Sequence, residues 1–207
     1  TANPAFNTGV TLSGGPVFNW YYSSTTYIND AKLLSGVSYF ITAEARDISG
    51  QLQTDFQTYG STFTFDNTPP RSGILVPPAA GISVSNMPYY KAFTAISGTA
   101  DDFTFLPADR PLAAGLNGGS SDMKVSIRDL TAGVTFWSNG DGIFRDDITE
   151  EASYMSATFS GGSSGTYLMT PPGLGAQLIT GHVYVIKSSA TDNVGNVQTI
   201  LKVSSFV

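Results

Sequence analysis

Two stretches, 5–54 and 152–199, carry one pattern, and this self-repetition limits what the chain can fold into more than any single motif does. Gly36, Tyr39, Ile41, Ala45, Asp47, Gly50, Gln53 and Thr54 return as Gly181, Tyr184, Ile186, Ala190, Asp192, Gly195, Gln198 and Thr199, all at one offset. Upstream, Ser13-Gly14-Gly15 returns as Ser160-Gly161-Gly162. Similarity on this scale predicts a repeat architecture, in which each unit is a fold-sized brick and function belongs to the array. Such a chain is expected to build or extend an assembly rather than to catalyse.

The repeated segment itself predicts strands. Tyr39, Ile41, Ala43 and Ala45 sit at alternate positions, and Tyr184, Ile186, Ser188 and Ala190 keep the same period of two. Elsewhere short β-branched and aromatic runs alternate with turn clusters, and 22 Gly and 11 Pro leave few windows for a helix. The pattern is that of an all-β protein of sandwich type. Val125, Ile127 and Asp129 alternate with Lys124, Ser126 and Arg128 as in a half-buried strand. Thr135–Ser138, Asn139-Gly140-Asp141-Gly142 and Ile143-Phe144 read as a hairpin whose turn needs positive φ. Residues 143–160 lack Gly and Pro, and Ile148, Ala152, Met155 and Phe159 follow helical spacing behind a possible cap at Asp147. The partner segment, with Gly9, Val10 and Leu12, favours a strand over 152–160, preceded by one helical turn at 146–151.

A boundary falls after Phe63-Thr64-Phe65, where Asp66-Asn67-Thr68-Pro69-Pro70 follows and its tandem prolines deny ladder hydrogen bonds and stiffen the chain. The expected division is 1–68 and 69–207, with a Pro-rich linker at 66–70.

At 13% charged residues the surface is unusually neutral, a face that packs against copies of itself with little charge to desolvate. The net charge of −6 argues against a nucleic-acid partner, which needs a basic stripe. Zero cysteines removes disulfides, thiolate metal sites and cysteine nucleophiles together. No apolar run approaches the ~18 residues of a membrane helix, so membrane insertion by one is not expected.

Taken in order, these residues resemble the immunoglobulin-like repeats of large bacterial surface and secreted proteins. The resemblance rests on the "D-N-T-P-P" run at 66–70, Ile74 and Pro77, and Ile96-Ser97-Gly98-Thr99-Ala100-Asp101. It continues through the Val125/Ile127 strand with the following Trp137 hairpin, and Tyr184 through Asn196. The first copy departs at Gln51, where the family pattern has asparagine. The resemblance implies tandem immunoglobulin-like β-sandwiches at the cell surface or outside the cell. It says nothing specific about function, because that fold hosts many tasks. Copy two has about 80 residues (71–151) before the shared part, whereas copy one has four. The first sandwich is therefore expected to be incomplete. Three readings stay open: a chain cut from a longer polypeptide, strands supplied by a neighbouring subunit, or a smaller domain with its own strand set.

Candidate chemistry is sparse. His182, the single histidine, stands at a strand start after a turn glycine and is expected to be structural. The acidic pairs Asp101-Asp102, Asp146-Asp147 and Glu150-Glu151 could in principle act as hydrolytic carboxylates, but neighbours on a strand point to opposite faces. Calcium is the more plausible ligand, with Asp66, Asn67, Asp101, Asp192 and Asn193 at strand ends or in the linker. Asp47 and Asp192 read equally well as Asx turns. Trp20, Tyr21 and Tyr22 form the best aromatic cluster for a sugar, although Trp20 aligns with Tyr167 and so with a core position. Gly14-Gly15 and Gly161-Gly162 lack the Lys-Ser/Thr of a phosphate loop. An isopeptide asparagine is missing from Val197–Val207. No catalytic, cofactor or metal residue is assigned. The expected role is a non-catalytic structural module of a bacterial extracellular fibre, tube or surface assembly that associates with copies of itself. The alternative is an adhesive or glycan-binding module.

Overall fold

The computed structural model describes residues 11–14, 18–23, 28–29, 31–55, 60–78, 86–102, 112–116, 122–133 and 135–207. The early part of the repeat, 5–10, lies outside them. The chain separates into two compact units: Thr1–Asn67 with Ala108–Leu112, and Thr68–Pro107 with Ala113–Val207. Both consist mainly of antiparallel β-sheet, with two short helices in the second unit.

Among its described residues, unit 1 contains two hairpins. Strand β1 (Thr11–Gly14) pairs with β2 (Phe18–Tyr21), setting Leu12 opposite Trp20. Strand β3 (Val37–Ile41) pairs with β4 (Ser61–Phe65), setting Tyr39 opposite Phe63. Their rings stack at 5.5 Å between centroids.

Unit 2 opens with β5 (Arg71–Val76), β6 (Ile96–Asp101), β7 (Met123–Asp129), β8 (Thr135–Ser138) and β9 (Ile143–Arg145). Helix α1 (Glu150–Ser153), β10 (Met155–Ser156), β11 (Thr158–Gly161) and β12 (Ser164–Met169) follow. Helix α2 (Leu174–Gln177), β13 (Tyr184–Ala190) and β14 (Lys202–Phe206) complete it. One sheet runs β11-β12-β6-β5; the other runs β14-β13-β7-β8-β9, with β10 also on β7. Ile74, Ile96, Ala100, Phe159, Tyr167 and Met169 of the first share one buried cluster with Met123, Val125, Ile127, Trp137, Tyr184, Ile186 and Phe206 of the second. Alternation builds this core only in part: in β7, Met123, Val125, Ile127 and Asp129 are buried and Lys124 is exposed, but Ser126, on the face expected outward, is buried as well. An aromatic row runs from Trp137 through Phe144 and Tyr184 to Phe206 and Phe93. Gly98 in β6 is required by close approach, because a Cβ there would overlap the Gly73 carbonyl of β5 and the Tyr167 ring of β12.

The β8–β9 hairpin forms where the spacing places it, with Gly142 at φ +68°. The 143–160 segment differs from expectation. The helical turn is Glu150–Ser153, not 146–151, and its cap is the Thr149 hydroxyl accepting from Ala152 N, not Asp147. Asp147 is engaged by Arg145 instead. The strand expected over 152–160 is two strands: β10 joins β7 in one sheet and β11 joins β12 in the other. The chain changes sheet at Ala157, whose N–H donates to the Met123 carbonyl at 2.8 Å.

Candidate functional site

The loop after β13 is built around one carboxylate. Asp192 Oδ1 accepts from Val194 N at 3.0 Å and Asn196 N at 2.8 Å, and Oδ2 accepts from the Asn196 amide at 2.7 Å. Asp192 N donates to Asn196 O, and Gly195 takes φ +94° to close the turn. In unit 1, Asp47 Oδ1 accepts from Ser49 N, Ser49 Oγ and Gln51 N at 2.9, 2.7 and 2.8 Å. Asp47 N donates to Gln51 O, and Gly50 takes φ +88°. The agreement extends outward. Arg46–Leu52 and Thr191–Val197 are the flanking bridges. Leu34 N donates to the Tyr39 hydroxyl at 2.6 Å, as Ile179 N does to that of Tyr184 at 2.8 Å. Tyr184 stacks on Phe206 at 5.2 Å, matching Tyr39 on Phe63. The β1–β2 and β11–β12 hairpins share their register too, with Leu12 opposite Trp20 and Phe159 opposite Tyr167.

Burial separates the copies. Ile186 is 0% exposed and its counterpart Ile41 is 41%; Tyr167 is 1% and Trp20 is 48%. Trp20 therefore does not take the core place its alignment suggests. Tyr21 is exposed as well, but as strand neighbours the two rings leave opposite faces and form no coplanar platform. Trp137 is fully buried and closed to any sugar.

Between the sheets of unit 2 lies a buried polar knot. Gln198 Oε1 accepts from Ser72 N at 3.0 Å, Ser72 Oγ at 2.7 Å and Ala190 N at 3.1 Å. The Ser72 and Ser188 hydroxyls bond at 2.7 Å, joining β5 to β13. Tyr167 packs beside Ser188, and burial pushes its hydroxyl pKa up to about 12.

Asp102 and Asp192, both buried, bring carboxylate oxygens within 4.8 Å at one end of unit 2. Asp102 Oδ2 accepts from Gly115 N at 2.7 Å; Asn193 donates its amide to Ala114 O and its N–H to Gly115 O, both at 2.9 Å. Asp102 and Asn193 together hold residues 114 and 115 at this end of the unit. Of the calcium candidates, Asp66 and Asn67 belong to unit 1, where the Ser35 hydroxyl donates to Asp66 at 2.9 Å and accepts from Asn67 N at 3.1 Å. Asp101 pairs in the ladder with Arg71 and Ser164. Asp102, expected as half of an acidic pair and not as a calcium ligand, is buried like Asp192. Continuing the alternation of Ile96, Gly98 and Ala100 one step points to it.

His182 Nδ1 lies 2.8 Å from Asp129 Oδ2, while Asp129 Oδ1 accepts from Thr131 N and Ala132 N at 2.8 and 3.1 Å. Thr131 Oγ1 accepts from Val183 N at 2.9 Å. These contacts clamp the β7–β8 turn to the start of β13. Glu150 pairs with Lys187 at 2.6 Å, and Arg145 with Asp141 at 2.7 Å and also with Asp147. Asp101 and Asp102 thus serve separate contacts, and in the other two pairs Asp147 and Glu150 are each engaged in an ion pair.

The chain matches no protein-family model, and no curated protein or solved structure resembles it significantly. Among the described residues no helix is long and apolar enough to cross a membrane.

Proposed function

We propose that the chain is a non-catalytic structural protein built of tandem immunoglobulin-like β-sandwiches, a module of a bacterial extracellular fibre, tube or surface assembly. The observation carrying this reading is the recurrence of one hydrogen-bond set in two hairpins: Tyr39 with Tyr184, Asp47 with Asp192, Gln53 with Gln198. Local geometry reproduced to single bonds favours one module used twice. The strand orders β11-β12-β6-β5 and β14-β13-β7-β8 suit an immunoglobulin-like topology. The weakly charged surface favours packing against copies of the chain. Electron microscopy of purified protein at rising concentration is expected to reveal ordered polymers. A chain that sediments as a monomer throughout would refute the assembly role.

A second reading, adhesion to glycans, has one observation in its favour: Trp20 and Tyr21 are both exposed. Glycan-array binding lost on Trp20→Ala would support it.

A further inference from the structure

The loop joining β8 to β9, Asn139-Gly140-Asp141-Gly142, sets an amide side chain and a carboxylate side chain each before a glycine. The two pairs are held differently. Asp141 Oδ2 accepts from the Ser138 hydroxyl at 3.0 Å and from Arg145 at 2.7 Å, and Gly142 N donates to the Ser138 carbonyl at 2.8 Å. Arg145 first, and then Ser138, keep the Asp141 carboxyl below its ordinary 3.8. It is therefore an anion, a poor target for a nitrogen nucleophile. Neither constraint reaches the other pair. Asn139 and Gly140 are both exposed, and among the described residues no hydrogen bond holds the Asn139 amide or the Gly140 N–H. Gly140, unlike Gly142, does not take a positive φ, and a Cβ added to it would meet nothing within 4 Å. The turn geometry thus does not require glycine at 140.

We propose that Asn139 is a site of spontaneous covalent modification, at which Gly140 N attacks the side-chain amide and the residue becomes aspartate or isoaspartate. Gly140 N gives its proton to hydroxide and bonds to Asn139 Cγ. The Cγ–Nδ2 bond breaks, the nitrogen takes a proton from water and leaves as ammonia, and a cyclic imide remains. Water then opens the ring. Cleavage of the new N–Cγ bond yields aspartate; cleavage of the original peptide bond yields isoaspartate, whose backbone runs through Cβ and Cγ. No oxidant and no enzyme is needed. Either product adds a carboxylate to a loop whose Arg145 already pairs with Asp141 and Asp147. Isoaspartate also lengthens a loop whose ends are in register at Ser138 and Ile143. Asn193 and Asn196 are shielded by contrast. Their amides donate to Ala114 O and to Asp192, and the β-branched Val194 and Val197 follow them. The site stands whether or not the chain polymerises.

The test incubates the full 207-residue chain at mildly alkaline pH in water enriched in heavy oxygen, followed by tryptic mapping in ordinary water. Cleavage after Arg128 and Arg145 isolates Asn139, and cleavage after Lys124 separates it from Asn117-Gly118. That second Asn-Gly pair lies outside the described residues. Heavy oxygen marks conversion that occurred in the folded chain and not during digestion. The expected result is labelled aspartate and isoaspartate at position 139, with Asp141 unchanged. Because an exposed loop opens at little cost, conversion is expected to be no more than about thirtyfold slower than in a free peptide of residues 135–145. Gly140→Ala, whose methyl has room, is expected to slow conversion at least about tenfold by restricting the attacking backbone, with the unfolding midpoint unchanged. Asn139→Gln, which sets the amide one methylene further away, should abolish it. A slowing beyond about thirtyfold relative to the peptide overturns the proposal. So does conversion that Gly140→Ala or Asn139→Gln leaves undiminished, or isoaspartate that forms first at Asp141.

Discussion

Gln198 and Gln53 occupy equivalent loops and make the same side-chain contact to the backbone, yet their removal should have very different consequences. Gln198→Ala takes the acceptor away from Ser72 N and Ala190 N at buried positions, while the Ser72 hydroxyl keeps Ser188. An orphaned buried donor costs about 1–3 kcal/mol, so the two together destabilise unit 2 by about 2–5 kcal/mol. For a unit of this size the melting temperature falls on the order of 10 °C. Gln53 Oε1 accepts only from Ala45 N, at 3.3 Å and an exposed site where water can replace it. Gln53→Ala should therefore change stability by no more than about 0.5 kcal/mol. The assay is urea and thermal unfolding followed by Trp137 fluorescence, in a Trp20→Phe background so that the buried indole of unit 2 is the only emitter. Gln198→Met separates packing from hydrogen bonding, since it keeps volume and lacks the acceptor. If Gln198→Met is as stable as the parent, or if both alanine variants lose equally, the buried-acceptor argument fails.

Three further predictions concern single groups. Because burial holds the folded Tyr167 pKa at about 12 against about 10 for an unfolded tyrosine, its contribution is complete below pH 10. It is lost as pH rises to 12, at up to about 1.4 kcal/mol per pH unit, and Tyr167→Phe should flatten that slope in alkaline unfolding curves. Asp47 is held below its ordinary 3.8 first by the Ser49 hydroxyl and then by Gln51 N–H, so its loop is supported above that pH and loosens on acidification. NMR should find its carboxyl titrating below 3.8, and Ser49→Ala should move the midpoint up. Gly98→Ala forces a methyl onto the Gly73 carbonyl and the Tyr167 ring and should destabilise unit 2 by about 3 kcal/mol, read by denaturant midpoint.

Local features were readable in the residues because local rules govern them. Period-two alternation marks β7 and β13, and Gly142 marks the β8–β9 turn. Asp47 and Asp192 ahead of Gly50 and Gly195 mark two turns whose bonds are all made within a few residues. Reading failed where the deciding contact is remote. Residues 152–160 form two strands because Met123 and β12 draw neighbouring parts of the segment to different sheets, and no window of sequence carries that competition. Asp102 was weighed only as a partner of Asp101, which ends a recognisable run, although the alternation of Ile96, Gly98 and Ala100 sends Asp102 inward. Trp20 and Trp137 are both aromatic residues in or beside strands, and nothing local tells the exposed one from the buried one.

That contrast separates two layers of information in the repeat. Tyr39 and Tyr184 receive the same backbone N–H and stack on the same kind of ring, so a hairpin and its loop are specified by about thirty contiguous residues regardless of surroundings. Burial is not specified that way. Ile186 is sealed because β7 covers the edge and β6 and β12 supply the opposite wall of the core, all from sequence outside the repeated segment. A hairpin of this type is then a connector with fixed internal geometry whose stability depends on which strands reach it. The same sequence pattern ends as core at Val185 and Ile186 and as exposed side chains at Phe40 and Ile41, so the strands around such a hairpin, more than the hairpin itself, decide its burial.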